Sequence, residues 1–209
     1  MRPGPLTRRL FGPYERQVAE AYKRVFIDLD DFAGRLRLWV PHPARILEVG
    51  CGEGAMMERL ATIYPGATIT GVDIKPTVGR LYRGDTARVT FLQRTADDVA
   101  RHEPASYDLV VLCDVLHHVP PLERPSLLSA ISRAMAPGGS LAVKDWIISS
   151  SPIHWLSWFA DRYLTRDDVE FFTPQSMQAL LIGAFGPDAV RGKSLVRPWS
   201  NNIAYHIRQ

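Results

Sequence analysis

Apolar residues recur at steps of three or four in the first part of the chain, which is the spacing of one face of a helix. This periodicity predicts a helix that runs to about Gly34. Its apolar members are Tyr14, Val18, Tyr22, Val25, Leu29, Phe32 and Leu36. We therefore expect a helical segment ahead of the first strand.

Short runs rich in β-branched and apolar residues follow, with helical patterns between them. These runs are 45–49, 68–73, 89–93, 107–115 and 140–146. The fourth run, "YDLVVLCDV", is continuous rather than alternating, which is typical of a strand buried on both faces. A helical pattern over 122–135 then closes at Pro137, Gly138 and Gly139. Alternating strands and helices predict a mostly parallel sheet.

Two further strand-like runs, 190–197 and 201–209, are joined by the short polar stretch "PWSNN". A connection this short requires antiparallel strands. The predicted fold class is therefore α/β, a three-layer Rossmann-like sandwich whose mostly parallel sheet ends in a C-terminal antiparallel hairpin.

The composition fits a single globular domain, since 46% of the 209 residues are hydrophobic. Lys and Arg number 25 against 22 Asp and Glu, and they are scattered, so the charge does not indicate a polyanionic partner. Cys51 and Cys113 lack CxxC spacing. The sequence shows neither a signal peptide nor an apolar run of about 20 residues. We expect a soluble, cytoplasmic protein without a transmembrane segment.

The stretch "RILEVGCGEG" places three glycines between a predicted strand and a predicted helix. Glycines allow positive φ there and let a ligand lie against the backbone at the helix N-terminus. Gly50, Gly52 and Ala55 fit the dinucleotide pattern G-x-G-x-x-[GA], whereas Glu48, Gly50, Gly52 and Gly54 fit an acidic-x-G-x-G-x-G pattern. The loop by itself leaves both kinds of nucleotide cofactor open.

Two acidic residues beside the loop narrow the choice of cofactor. Asp73 closes the second strand, where a carboxylate can accept hydrogen bonds from ribose hydroxyls. Glu48 lies inside the first strand, where an acid is costly unless it meets a cationic group. This favours a cofactor with an amino acid moiety over one with a pyrophosphate.

At this point the sequence resembles class I S-adenosylmethionine-dependent methyltransferases, especially the small-molecule branch that includes ubiquinone and menaquinone biosynthesis enzymes. Five blocks in order carry the resemblance: "LEVGCGEG", "TGVDI", "RTADDVA", "YDLVVLCDVLHHVP" and "APGGSLAVKD". It implies S-adenosyl-L-methionine as the cofactor and a single methyltransferase domain over 1–209. Within that domain, 1–40 would be a helical cover, 41–148 the cofactor-binding core, and 149–209 lid helices and the hairpin.

The resemblance also implies which residues hold the cofactor. The glycine loop would pass under its methionine part, with Glu48 near the amino group, and Asp73 would bind the ribose. The implied set is Glu48, Gly50, Cys51, Gly52, Gly54, Asp73, Ile74, Thr95, Ala96, Asp97 and Cys113.

The "RTADDVA" block departs from its relatives, which often have Gly-Asp-Ala there. Thr95 stands at the position of the adenine-contacting acid and Ala96 at that of the backbone contact. Asp97 is a candidate acceptor for the adenine amino group, and the alternative is that Asp97 or Asp98 only caps or solvates a turn.

Methyl transfer from a sulfonium is an in-line displacement, in which positioning and desolvation supply much of the rate. A base is needed if the nucleophile is a hydroxyl or an acidic carbon. The candidates for base or orienting group are Asp114, His117, His118 and Asp145, with a slight preference for His118. The alternative roles are a structural turn for the histidines and a hydrogen-bonded strand end for Asp145. We expect no metal, because no third ligand is spaced like a metal motif.

A helical stretch after the fifth strand is rich in aromatic residues, namely Trp155, Trp158, Phe159 and Tyr163. It is either core packing or a lid over an apolar, aromatic or lipid-like small-molecule acceptor. Alternative functions are a nucleic-acid methyltransferase and a non-catalytic relative that only binds the cofactor. An NAD-dependent oxidoreductase is least favoured, because no tyrosine is followed by lysine four positions later. The acceptor, the methylated atom and the oligomeric state stay open.

Overall fold

A computed structural model describes residues 28–148, 170–199 and 201–209. In this part of the chain the helices are α1 (Leu29–Trp39), α2 (Ala55–Ile63), α3 (Ala96–His102), α4 (Arg124–Ala134) and α5 (Pro174–Phe185). The strands are β1 (Arg45–Val49), β2 (Thr68–Asp73), β3 (Val89–Gln93), β4 (Tyr107–Cys113), β5 (Met135–Trp146), β6 (Val190–Val196) and β7 (Asn202–Arg208). Short 3₁₀ turns cover Leu116–His118 and Pro187–Ala189.

The seven described strands form one sheet in the order β3-β2-β1-β4-β5-β7-β6. Strands β1 to β5 are parallel, and β7 is antiparallel to both β5 and β6. Helices α3, α4 and α5 pack on one face of the sheet, and α1 and α2 pack on the other. The predicted three-layer fold with its C-terminal antiparallel hairpin is confirmed.

The predicted continuous helix to Gly34 is wrong at both ends of its described part. Asp28 is not helical and caps α1, since its side chain accepts a hydrogen bond from the Asp31 amide at 2.8 Å. The helix then continues past Gly34 to Trp39, because Leu36 is still fully buried against the sheet. The part of the predicted helix that precedes residue 28 lies outside the described residues.

Two other sequence predictions need correction. Residues 74–88, between β2 and β3, form turns and bends instead of a helix, and the Gly79 amide donates to the Gly52 carbonyl at 2.9 Å. Strand β5 already begins at Met135, so the Pro-Gly-Gly segment lies inside the strand, where the β4–β5 register shifts. The carboxyl ends of β1, β2, β4 and β5 still meet at one edge, which carries the candidate site.

Candidate functional site

The glycine loop after β1 requires glycine for two different reasons. Gly50, Gly52 and Gly54 have φ values of +75°, +50° and +96°, which L side chains rarely adopt. A Cβ on Gly50 would also lie 2.4 Å from the Cγ2 atom of Val115. At Gly52 nothing lies within 4 Å of the added Cβ. The loop is therefore closely packed against Val115 at Gly50, and the space beside Gly52 is open.

Backbone hydrogen bonds and one side-chain ion pair hold the glycine loop against the segments beside it. The amides of Gly50 and Cys51 both donate to the Val72 carbonyl, at 2.8 and 3.1 Å. On the outer side, Arg80 pairs with Glu53 at 2.7 Å. The loop is held from β2 on one side and from residues 79–81 on the other.

Asp73 is oriented by two backbone amides at the end of β2. Its Oδ2 accepts from Gly52 and its Oδ1 from Lys75, each at 2.9 Å. An ionised carboxylate has about four acceptor positions, so each oxygen can still accept a hydrogen bond from a ligand. Ile74, the next residue, is 70% exposed. The structure thus places an oriented acceptor beside an accessible apolar side chain.

Glu48 is buried in β1, at 3% exposure, on the sheet face that packs against α2. Burial raises the pKa of the Cys51 thiol, and the carboxylates of Glu48 and Asp73 raise it further. Burial likewise raises the pKa of Cys113, with Asp114 adding to the effect. Both cysteines are therefore protonated near neutral pH.

The residues proposed for the adenine have defined local partners. Thr95 caps α3 in a reciprocal capping box, in which its hydroxyl donates to Asp98 at 2.7 Å and accepts from the Asp98 amide at 3.1 Å. The hydrogen bonds from Thr95 hold the pKa of the Asp98 carboxyl at about 2. Asp97 instead pairs with Arg133 of α4 at 2.6 Å, and Ala96 is buried. Adenine contacts by these residues stay a prediction.

Asp145 and His117 form a buried pair, although the sequence presented them as separate candidates. The Nδ1 atom of His117 lies 2.5 Å from Oδ1 of Asp145, and the two side chains are 2% and 1% exposed. The amides of His117 and Trp146 also donate to this carboxylate, at 3.3 and 2.7 Å. Burial raises the pKa of Asp145, but the charge and hydrogen bond of His117 outweigh it and lower the pKa below its usual value.

His118 lies against this pair, with its ring centroid 4.0 Å from that of His117. Burial, followed by repulsion from His117, lowers the pKa of His118 to about 3. The imidazole is therefore neutral near pH 7 and can donate one hydrogen bond and accept another. It is a weak base, better suited to orienting a group than to holding a proton.

Asp114 follows β4 with a left-handed backbone, at φ +56°. Its carboxylate receives both hydrogen bonds of a bidentate ion pair from Lys144 Nζ, at 2.6 and 2.8 Å. The Lys144 side chain is fully buried, whereas that of Asp114 is 21% exposed. Sequence reasoning missed Lys144. The register of β4 with β5, which pairs Cys113 with Lys144, is the signal that could have found it.

The Phe171 ring lies between His117, in the turn after β4, and Trp146, at the end of β5. Phe171 stacks on His117 with centroids 5.7 Å apart, and it lies 6.5 Å from Trp146. Arg124 donates to the carbonyl of Val119 at 2.9 Å and lies over the Phe172 ring at 4.3 Å. The edge therefore has an apolar, aromatic side next to its charged groups, and sequence reasoning missed Phe171 and Arg124 as part of it.

The predicted aromatic residues 155–163 lie outside the described residues. Among the residues that the structure describes, no group of three His, Cys, Asp or Glu side chains could hold a metal ion. None of the described helices is long and apolar enough to cross a membrane.

Residues 46–139 match the family model described as a methyltransferase domain. The ubiquinone biosynthesis O-methyltransferase of Vibrio atlanticus is 36% identical over 99 residues, which are 46% of this chain and 40% of that protein. A relative with the same description from Xanthomonas campestris is 34% identical over 120 residues, covering 55% of this chain and 47% of that protein. The chain spans about half the length of these curated relatives.

A solved structure supports the fold. It is the Burkholderia thailandensis 1,6-didemethyltoxoflavin-N1-methyltransferase with bound 1,6-didemethyltoxoflavin and S-adenosylhomocysteine, with a TM-score of 0.68 at 17% identity. The match covers 97% of this chain and 86% of that one. Residues 46–139 therefore resemble a methyltransferase domain, and the predicted resemblance to class I S-adenosylmethionine-dependent methyltransferases is confirmed.

Proposed function

We propose that this protein is an S-adenosylmethionine-dependent methyltransferase that moves a methyl group to a small-molecule acceptor. The observation that carries the proposal is the glycine loop, which is open above Gly52 and lies between the buried Glu48 and the oriented Asp73. The relatives support it, since they are described as a ubiquinone biosynthesis O-methyltransferase and a 1,6-didemethyltoxoflavin-N1-methyltransferase. We also propose that the whole chain forms one such domain.

The described residues fit the cofactor part by part. The free acceptor positions of Asp73 suit ribose hydroxyls, and the exposed Ile74 beside it suits the face of an adenine ring. Glu48 supplies negative charge for an ammonium group. The left-handed glycines let a ligand approach the backbone without meeting a side chain.

The bound cofactor supplies an electrophilic methyl group, so the protein's own task is to position the acceptor and exclude water. Asp145 fixes the ring of His117, and this holds the turn that presents His118. The neutral His118 imidazole can hydrogen-bond the nucleophile of the acceptor. Asp114, held by Lys144, offers a carboxylate at the mouth of the site that can take up a proton or orient one.

Calorimetric titration of the protein with S-adenosylmethionine, S-adenosylhomocysteine and NADH tests the proposal. We expect binding of the first two and none of NADH. Asp73→Asn should weaken S-adenosylhomocysteine binding at least tenfold, because it removes the charge from the ribose acceptor. The control Glu103→Gln alters a partly exposed carboxylate that pairs with Arg45 at the start of β1, on the opposite edge of the sheet, and should bind normally. Preference for NADH, or equal effects of both variants, would contradict the proposal.

A further inference from the structure

Ionisable side chains lie in or directly after each of four neighbouring strands at the edge that carries the site. In sheet order they are Asp73 at the end of β2, Glu48 in β1, Asp114 directly after β4 and Lys144 in β5. The first three are acids and the last is a base. Lys144 therefore stands at one end of this row, where it can offset the charge of the acid nearest to it.

Asp114 is the acid that Lys144 contacts. Lys144 Nζ donates to both carboxylate oxygens of Asp114, at 2.6 and 2.8 Å, and the Asp114 amide donates to the Lys144 carbonyl at 2.9 Å. These bonds hold Asp114 in a left-handed conformation, at φ +56°, which is uncommon for residues other than glycine. Lys144 therefore fixes the position of the Asp114 carboxylate through both its main chain and its side chain.

The turn that carries Asp114 lies against the glycine loop. A Cβ on Gly50 would come 2.4 Å from the Cγ2 atom of Val115, which is the residue after Asp114. The Cys113 thiol lies 3.6 Å from Oδ2 of Asp114. Burial raises the pKa of this thiol, and the carboxyl groups of Asp114 and Glu48 raise it further, so both acids act on the same atom. Asp114 therefore borders the loop that the proposed function assigns to the cofactor.

The two charges of the ion pair differ in their access to a ligand. The Asp114 side chain is 21% exposed, whereas the Lys144 side chain is fully buried, with its Nζ 5.6 Å from the centroid of the Trp146 ring. Because no part of its side chain is exposed, Lys144 acts on a ligand through Asp114, by holding the carboxylate and by offsetting its charge. Charge interactions of this kind are stronger in a buried site than in water.

We infer that Lys144 is a positioning residue that, through Asp114, sets how strongly the site prefers S-adenosylmethionine over S-adenosylhomocysteine. The inference rests on the proposed function and concerns the same site. The two ligands differ by one methyl group and by the positive charge of the sulfonium, which only S-adenosylmethionine carries. An Asp114 carboxylate without its partner would attract that charge, and a Lys144 ammonium without its partner would repel it. The ion pair therefore balances the affinities of the site for the cofactor and for its product.

Calorimetric titrations with S-adenosylmethionine and S-adenosylhomocysteine near neutral pH test the inference, and the ratio of the two dissociation constants is the readout. Lys144→Met removes the ammonium and should raise the preference for S-adenosylmethionine about threefold or more. Asp114→Asn removes the carboxylate charge and should lower that preference by about the same factor. The double variant carries neither charge, and its ratio should lie within about twofold of the wild-type value. A purely structural role would weaken both ligands together and leave the ratio unchanged.

Lys193→Met is the matched control. Lys193 also lies over an aromatic ring, with its Nζ 5.5 Å from the centroid of Tyr205, but it belongs to the outermost strand β6 and donates to Gln178 of α5. Its replacement removes the same charge and should leave the ratio unchanged. Single variants whose ratios do not move in opposite directions would overturn the inference. If Lys144→Met does not fold, Asp114→Asn and the double variant decide, because their ratios must differ by about threefold. Wild-type protein that binds neither ligand would instead contradict the proposed function, which separates the two failures.

Discussion

Replacing Asp145 by Asn tests the idea that a buried charge pair holds the turn of the candidate site. The carboxylate accepts hydrogen bonds from His117 Nδ1 and from two backbone amides, at 1% exposure. Breaking a buried pair by removing one charge costs about 3–5 kcal/mol. The amide oxygen of Asn keeps part of the hydrogen bonding, so we expect a loss of about 3 kcal/mol. For a domain of this size that lowers Tm by about 6–12 °C.

The effect should also depend on pH in a defined direction. The pKa of Asp145 is lowered in the folded protein, so the pair stabilises the fold fully above the unfolded pKa, near pH 4. That stability is lost as the pH falls through the lowered folded value.

Thermal and urea unfolding at pH 7 and at pH 2.5 would measure both effects. The Asp145→Asn variant should be much less stable than wild type at pH 7, and the difference should be smaller at pH 2.5. Asp97→Asn is the matched control, because its pair with Arg133 is half-exposed and such pairs contribute about 0–1 kcal/mol. A difference from wild type below about 1 kcal/mol at pH 7, or one of the same size at both pH values, would refute the reasoning.

Three further predictions concern the loop, the capped helix and the histidine. Gly50→Ala should lower the free energy of unfolding by about 2–4 kcal/mol, because Gly50 has a positive φ and a Cβ there would meet Val115. A loss below about 1 kcal/mol in urea unfolding would contradict this prediction. Thr95→Ala should cost about 1 kcal/mol through loss of the α3 cap, and unchanged calorimetric binding of S-adenosylhomocysteine would show that capping is its main role. His118→Gln should lower the rate of methyl transfer without changing its pH profile between pH 6 and 8, since the pKa of His118 is about 3. A wild-type inflection in that range which the variant loses would contradict this assignment.

The sheet was predictable because its signals are local. Strands 45–49, 68–73 and 89–93 have the bounds that their apolar runs predict, and the glycine loop has the positive φ values that its spacing predicts. The prediction failed where local periodicity competes with capping or tertiary contacts. Asp28 interrupts the apolar periodicity with a side-chain cap, and residues 74–88 bond the glycine loop instead of forming a helix.

The site was predictable only as a list of residues at one edge. The sequence named Asp145 and His117, but they are 28 positions apart, and only the β4–β5 pairing brings them together. Lys144 looked like an ordinary strand residue, although it is the buried partner of Asp114. Asn201 and Asn202 looked like turn residues, because polarity is the usual sign of a turn and their burial comes from the antiparallel pairing with β5.

The direction of β7 decides where the chain can be modified without obstructing the site. Because β7 is antiparallel to β5, Asn202 lies beside Trp146 at the site edge and Arg208 lies beside Ser140 at the opposite edge. A tag or surface linker joined after Gln209 therefore leaves the molecule on the side away from the site. The same addition in the turn between β6 and β7 would emerge next to the candidate site, so immobilised or fused forms of the protein are better joined at Gln209.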